Sequence, residues 1–317
     1  MNVYYDKEGA RKALEEAIEA SKVNLLTQND VAIQHLSVLD VDRLAVQVTG
    51  ERNVIWRLGP ANEKGEVEEE FSFHMQGVIA QLSLIPGNIE GLDVNRGINT
   101  SQGITLVGLG SPKFNDSVDR LSDLYALFAR YFPPNSMSRW NANVDEGDTV
   151  LKASNRFFTA VEDDPTAEHI RFAKGVDPLN KLERFVSDSL VHTEANVVKY
   201  HKHNKTKEGE TTIEVAFPSN FRVGDIVEIH ASAIAFKTQG RQSTIKMHCN
   251  LSGVTLIDSS FSKKTEEAKR SAAIAVIVPK NKLRRKNPYP TSNEPGGKKT
   301  RQNEGSGGEP DRQNVSR

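Results

Sequence analysis

The chain has 317 residues, 41 lysines and arginines, 42 aspartates and glutamates, and a single cysteine. This length allows two domains with cores of their own, and a single cysteine excludes an intrachain disulfide, which favours an intracellular protein over a secreted one. No apolar run approaches the ~18 residues that cross a bilayer. Because the N-terminus also lacks the apolar core of a signal peptide, we expect a nuclear or cytoplasmic protein with no membrane partner.

The net charge of −1 hides an asymmetry between the body of the chain and its C-terminal end. Residues 280–317 carry ten Lys or Arg against four acids, a net charge of +6, which leaves −7 for residues 1–279. Residues 281–317 also contain almost no apolar side chains, so they cannot bury enough surface to offset their conformational entropy. The sequence therefore predicts a disordered basic tail over residues 281–317.

Two basic clusters at this end have the spacing of a bipartite nuclear localisation signal. They consist of Lys280, Lys282, Arg284, Arg285 and Lys286, and of Lys298, Lys299 and Arg301. Basic clusters are also common in disordered tails that have no such role, so both interpretations stay open.

Residues 1–162 predict an N-terminal α+β domain. A helix begins after Asp6, and alternating apolar residues then predict strands near 44–48, 54–58, 78–84 and 104–107. From Val118 to Phe132, apolar residues are spaced 3, 4, 3 and 4, which predicts a helix that Pro133-Pro134 ends. We expect a second helix over residues 149–162 and a connection over residues 163–178.

Residues 179–280 predict a β-rich module centred on a hairpin, so the fold class is α+β. A helix over 179–190, strands over 195–201 and 212–217, and an exposed lysine-rich loop over 201–210 precede the hairpin. Between Phe221 and Asp258, apolar and polar residues alternate in two runs separated by Gln239-Gly240. Small residues from Ala231 to Ala235 allow close packing, which favours a small barrel or a strongly curved sheet. A helix over 263–273 and a short strand over 272–278 follow.

No arrangement of residues predicts a catalytic, cofactor or metal site. Gly108 and Gly110 resemble a dinucleotide-binding turn, but Lys113 stands where the third glycine is required. His201 and His203 share a strand face without a further ligand, and Asp225 and Glu228 are explained by a turn and a strand surface. The sequence therefore favours a protein without enzymatic activity and without a cofactor.

Two hypotheses of function remain. The favoured one is a non-enzymatic intracellular interaction module with an unknown protein partner, which fits the acidic body and the absence of catalytic motifs. The alternative is a nuclear protein that binds single-stranded nucleic acid through an OB-like module and the basic tail, because small barrels of this type combine cations with stacking aromatics. Its candidate residues are Tyr200, Lys202, Lys237, Arg241 and Lys246. Aromatics that belong to the core and lysines that only solubilise would explain the same composition.

Pro178 to Asp258 resembles a recurrent module in uncharacterised proteins of mushroom-type fungi. The matching pieces are Asp177-Pro178, Val191 to Asn196 (VHTEAN), Tyr200, Pro218, Phe221, Gly224 to Glu228 (GDIVE), Lys246-Met247 and Val254 to Asp258 (VTLID). The resemblance covers about a quarter of the chain. It implies a fungal origin and a module boundary, and it supplies no catalytic residues.

We expect residues 279–303, fused to a fluorescent reporter too large to diffuse through the nuclear pore, to bring the reporter into the nucleus. Basic side chains at the spacing of the two clusters are the reason for this expectation. Fluorescence microscopy of the fusion, with a matched fusion in which the eight basic residues are replaced by glutamine, measures it. A reporter that stays in the cytoplasm would remove the nuclear hypothesis.

Overall fold

The structure is a computed structural model. It describes residues 2–26, 31–49, 54–84, 99–205, 211–238 and 243–277. The predicted tail over 281–317, both basic clusters and Arg241 lie outside the described residues.

The described residues form four α-helices and thirteen β-strands. The helices are α1 (Lys7–Leu26), α2 (Pro112–Asp119), α3 (Leu121–Ala129) and α4 (Ser260–Ile277). The first seven strands are β1 (Ile33–His35), β2 (Leu44–Thr49), β3 (Ile55–Pro60), β4 (Ser72–Ser83), β5 (Ser101–Val107), β6 (Asn143–Asp145) and β7 (Asp148–Arg156). The others are β8 (Thr159–Ala160), β9 (Leu190–Val191), β10 (Lys199–Lys205), β11 (Thr211–Val215), β12 (Ile226–Lys237) and β13 (Ile245–Asp258). This mixed architecture confirms the predicted α+β class.

Eleven of these strands join one sheet, in which the predicted hairpin β12–β13 is central. Its two strands pair from Ile226 with Asp258 to Lys237 with Ile245. The pairings β4–β5, β5–β7, β7–β13, β13–β12 and β12–β4 return to their starting point, so five strands form a closed circuit. We call this set the five-strand circuit.

The five-strand circuit contains strands from both predicted domains. Strands β4, β5 and β7 come from residues 1–162, whereas β12 and β13 come from residues 179–280. The chain up to Ala273 accordingly forms one compact unit. The connection expected over 163–178 therefore does not separate two sheets.

The larger of two cores in the described chain lies between the sheet and the helices that cover it, and Phe157, Phe158, Leu182, Phe185 and Leu190 form a smaller second core. Helix α1 buries Ala10, Leu14 and Ile18 completely, as the predicted apolar face requires. Helix α2 places the fully buried Phe114 against the sheet, where a side chain at Gly77 or Gly108 would collide with its ring. Gly108 thus serves close packing of a helix on a strand. No helix in the described part of the chain is long and apolar enough to cross a membrane.

Several predicted elements are wrong. Residues 149–162, predicted as a helix, form β7 and β8, because the buried Leu151, Ala153 and Asn155 recur at every second position. Residues 179–190, predicted as a helix, contain the short 3-10 helix Glu183–Phe185 and the first residue of β9. The helix predicted from Val118 to Phe132 is split between α2 and α3. The loop predicted after His201 begins later, because β10 continues as far as Lys205. The strand predicted over 272–278 is replaced by α4, which runs to Ile277.

A buried carboxylate joins α4 to the start of the hairpin. Asp225 is completely buried, and its Oδ1 accepts a hydrogen bond from the Ser262 hydroxyl while its Oδ2 accepts one from the Arg222 backbone N–H at 2.7 Å. Burial raises the pKa of Asp225, and these two hydrogen bonds oppose that shift.

Replacing Ser262 by alanine should lower the free energy of unfolding by about 1–3 kcal/mol, because it leaves one oxygen of a buried carboxylate without its donor. Urea unfolding followed by circular dichroism measures the change. Ser271→Ala is the matched control, since Ser271 lies on the exposed side of the same helix. Equal stabilities of the two variants would contradict the role given to Ser262.

Candidate nucleic-acid interface

The five-strand circuit is weakest where β7 meets β13. These two strands are parallel and pair at a single position, Ser154 with Asn250. Earlier along β13, at Ile245, the strand lies beside the segment that follows α3. Met137 of that segment forms a β-bridge with Ile245, and the Ser138 N–H donates to the Ile245 carbonyl at 2.8 Å. The two strands therefore diverge from one paired position and leave a fork between them.

Side chains hold the fork together at its closed end. The imidazole of His248 places Nε2 2.9 Å from the Ser154 carbonyl oxygen, and Asn155 donates from Nδ2 to the Leu251 carbonyl at 3.0 Å. Burial lowers the pKa of His248, which favours the neutral ring, with its proton on Nε2 as the donor. These bonds replace part of the ladder that the parallel pair lacks.

A cleft of about 460 Å³ opens at this fork. Three exposed cations, Arg139, Lys152 and Lys246, line it together with the half-buried Trp140 and with His248. No Asp or Glu is among its lining residues in the described chain. We call these five residues the cationic cleft.

The cationic cleft can attract an anion and stack against a flat ring. None of its three cations forms an ion pair within the described residues, so their charges are available to a ligand. Trp140 is half-buried, packs against the core and lines the cleft. Phosphate groups need the first property, and unpaired bases need the second.

Of the residues predicted to bind nucleic acid, the structure places Lys246 in the cleft. In the β12–β13 ladder, Lys237 pairs with Ile245 and Lys246 pairs with Phe236. Because paired residues share a face and successive residues alternate between faces, Lys237 and Lys246 point to opposite sides of the sheet. Lys202 pairs with Leu256 at the other end of β13, about 33 Å along the strand from Lys246. Its Nζ lies 3.1 Å from Glu214 Oε2, so its charge is already compensated.

The prediction that Tyr200 is an exposed stacking platform is wrong. Its side chain is 6% exposed, its hydroxyl donates to Gln102 Oε1 at 2.7 Å, and its ring lies 5.7 Å from that of Phe221. Burial raises the pKa of the Tyr200 hydroxyl. Tyr200 belongs to the core because β10 turns it inward, whereas Phe217 is 53% exposed.

Sequence reasoning missed Arg139, Trp140, Lys152 and His248. Arg139 and Trp140 follow α3 in a segment without regular structure, and Lys152 was assigned to a helix that does not exist. Long-range contacts of Met137 and Ser138 with Ile245 bring this segment to the hairpin. No local pattern signals that contact.

A second polar cluster lies between α1 and the sheet. The Ser37 N–H donates to His35 Nδ1, His35 Nε2 donates to Gln76 Oε1 at 2.8 Å, and Gln76 Nε2 donates to Glu228 Oε2 at 2.5 Å. Glu228 also accepts from the Ser21 hydroxyl at 3.1 Å. Burial raises the pKa of Glu228, but its hydrogen bonds and the nearby histidines lower it more. The net effect is a lowered pKa.

His74 and His230 complete this cluster. Their rings are stacked with centroids 5.3 Å apart, and His230 Nε2 lies 3.3 Å from Glu228 Oε1. His74 Nδ1 is 3.4 Å from Glu228 Oε2, yet neither of its buried ring nitrogens makes a hydrogen bond of normal geometry. No group of His, Cys, Asp or Glu in the described part of the chain could hold a metal ion. The cluster fixes α1 to the sheet, and Glu228 is not the surface residue that the sequence predicted.

Comparisons with known proteins identify no family. No protein-family model matches the chain, and no curated protein matches it in sequence. Among solved structures it is similar to gp2.5, a single-stranded DNA-binding protein encoded by bacteriophage T7, with 13% identity and a TM-score of 0.32. The match covers 68% of this chain and 98% of the other. A likeness at this level carries no argument about function, and the resemblance to the fungal module stays a prediction.

The stability of the protein should fall as the pH drops from about 6.5 to 4, in part because of His35. Burial lowers the pKa of His35 to about 4, so the unfolded chain binds the proton first and acid favours unfolding. The shift corresponds to about 3 kcal/mol over that interval. Urea unfolding at several pH values should show a shallower pH dependence for His35→Gln. A variant that keeps the wild-type dependence would contradict the assignment.

Proposed function

We propose that this protein binds single-stranded nucleic acid in the cationic cleft. The observation that carries the proposal is the convergence of Arg139, Lys152 and Lys246 on one cleft, with Trp140 beside them and no acid in the described lining. Phosphate contacts supply most of the affinity of such proteins, and aromatic side chains stack on successive bases. The cleft combines the two requirements.

The position of the cleft within the strand order supports the same function. We interpret the five-strand circuit as a small barrel of the OB type, in which the face of the second and third strands and the loop between the fourth and fifth bind oligonucleotides. Counted from β4, the second and third strands are β5 and β7, and the fourth and fifth are β12 and β13. Lys152 lies on β7, and Lys246 lies at the start of β13, close to that loop.

A single strand fits this chemistry better than a duplex. The bases of a duplex are paired and stacked on one another, so Trp140 could stack only on an unpaired base.

The acidic turn between β6 and β7, with Asp145, Glu146 and Asp148, borders one end of the segment that carries the cleft. A phosphate backbone should therefore leave the cleft on the side away from this turn.

The hypothesis of a non-enzymatic intracellular interaction module with an unknown protein partner stays a prediction. Nuclear localisation through the basic clusters is compatible with nucleic-acid binding and stays a prediction of its own.

Replacing Lys152 and Lys246 together by glutamine should weaken binding of a labelled oligonucleotide and flatten its salt dependence. For a single strand, the slope of log K against log salt falls by roughly 0.7 for each phosphate that the protein no longer neutralises. Fluorescence anisotropy titrations of the full chain at several salt concentrations measure both quantities.

Trp140→Leu, which keeps an apolar side chain against the core, should cost about 1–3 kcal/mol of binding free energy in the same titrations.

The double variant Lys202→Gln, Lys237→Gln is the matched control, because it removes the same charge outside the cleft. It should bind nearly as the wild type does. If the wild-type protein does not bind at low salt, the proposed function fails. If both double variants lose affinity equally, binding follows net charge and does not occur in the cleft.

A further inference from the structure

Among the described residues, strand β11 ends the sheet, and its side chains are exposed on both faces. It follows β10 at one end of the strand order, and each of its five side chains is exposed. Ile213 is 67% exposed and Val215 is 75% exposed, although both are large and apolar. Strand β11 has five residues and no proline, and an unpaired edge strand that exposes apolar side chains can pair with another strand.

The backbone groups of β11 show which residues are ready to pair. The Ala216 N–H donates to the Tyr200 carbonyl at 2.9 Å, across the β10–β11 ladder. In an antiparallel ladder, successive residues direct their N–H and C=O groups alternately to one neighbour and to the other. Thr212 and Glu214 therefore bond to β10, whereas Thr211, Ile213 and Val215 direct their backbone groups outward.

We propose that two copies of this chain associate by antiparallel pairing of β11 with β11, with Ile213 opposite Ile213 on the two-fold axis. Thr211 of each copy then lies opposite Val215 of the other. All three outward-directed residues exchange backbone hydrogen bonds in this register, which forms about six of them. An isologous contact of this kind closes on itself and gives a dimer.

The register centred on Ile213 is the one that the side chains favour. It overlaps the whole of Thr211–Val215 with itself and gathers Ile213 and Val215 of both copies on one face. On the other face, Glu214 lies opposite Thr212 of the second copy and keeps its contacts with Lys202 at 3.1 Å and with Asn204 at 2.8 Å. Centring the axis on Glu214 instead would place two carboxylates directly opposite each other, which is destabilising.

The first test is sedimentation velocity of the full chain over a wide range of concentrations. The wild-type protein should dimerise, and Ile213→Lys, which sets two like charges on the axis, should raise the dissociation constant by at least about tenfold. Val48→Lys is the matched control, because Val48 is an exposed apolar residue on β2, at the other end of the strand order. It should leave the dimer intact, and circular dichroism checks that both variants fold.

Thiol cross-linking tests the register. In the proposed dimer the two copies of residue 213 are about 5.5 Å apart, whereas the two copies of residue 215 are about 14 Å apart along the strands. A short bifunctional maleimide should therefore join Ile213→Cys chains and join Val215→Cys chains far less, and the native Cys249 is buried. A monomeric wild type, a dimer that survives Ile213→Lys, a dimer that Val48→Lys breaks, or equal cross-linking at both positions would overturn the proposal.

Discussion

The single paired position between β7 and β13 is the constraint on which the candidate interface depends. Four of the five contacts in the five-strand circuit are antiparallel ladders, and the fifth is the parallel pair of Ser154 with Asn250. A parallel pair with one ladder position cannot hold two strands side by side over their length. His248 and Asn155 supply hydrogen bonds across the gap, and the strands diverge beyond them. The cationic cleft is thus a consequence of how the circuit closes.

Hydrogen bonds to buried polar groups explain several pieces of the sequence that resemble the fungal module. Asp177 accepts from the backbone N–H groups of Lys181, Leu182 and Glu183, and Asn196 accepts from the Thr193 N–H. Asp225 does the same at the start of the hairpin. Each carboxylate or amide satisfies backbone groups that would be costly to bury alone. These residues therefore stabilise the fold.

Periodicity predicted the elements that have one buried face. Helix α1 was predicted because its apolar residues recur every three or four positions, and the hairpin because its apolar residues recur at every second position. Both elements are confirmed. Strand β7 was missed because its buried positions include Ala153 and Asn155, which have weak strand propensity. The cleft could not be predicted, since Lys152 and Lys246 are distant in sequence and meet only through the parallel contact of β7 with β13.

Lysine density in the sequence does not show which charges are available to a ligand, because the neighbours of a charge decide that. Lys202 lies in the most lysine-rich part of the module, but β11 places Glu214 beside it. Lys246 has few basic neighbours in sequence, yet Arg139 and Lys152 converge on it from two other elements. An exposed ion pair contributes little to stability, but it neutralises a cation that could otherwise contact a phosphate. The same carboxylate has a second consequence, because Glu214 also decides which register of β11 avoids like charges. One glutamate thus compensates the charge of Lys202 and disfavours a pairing of β11 with itself that is centred on Glu214.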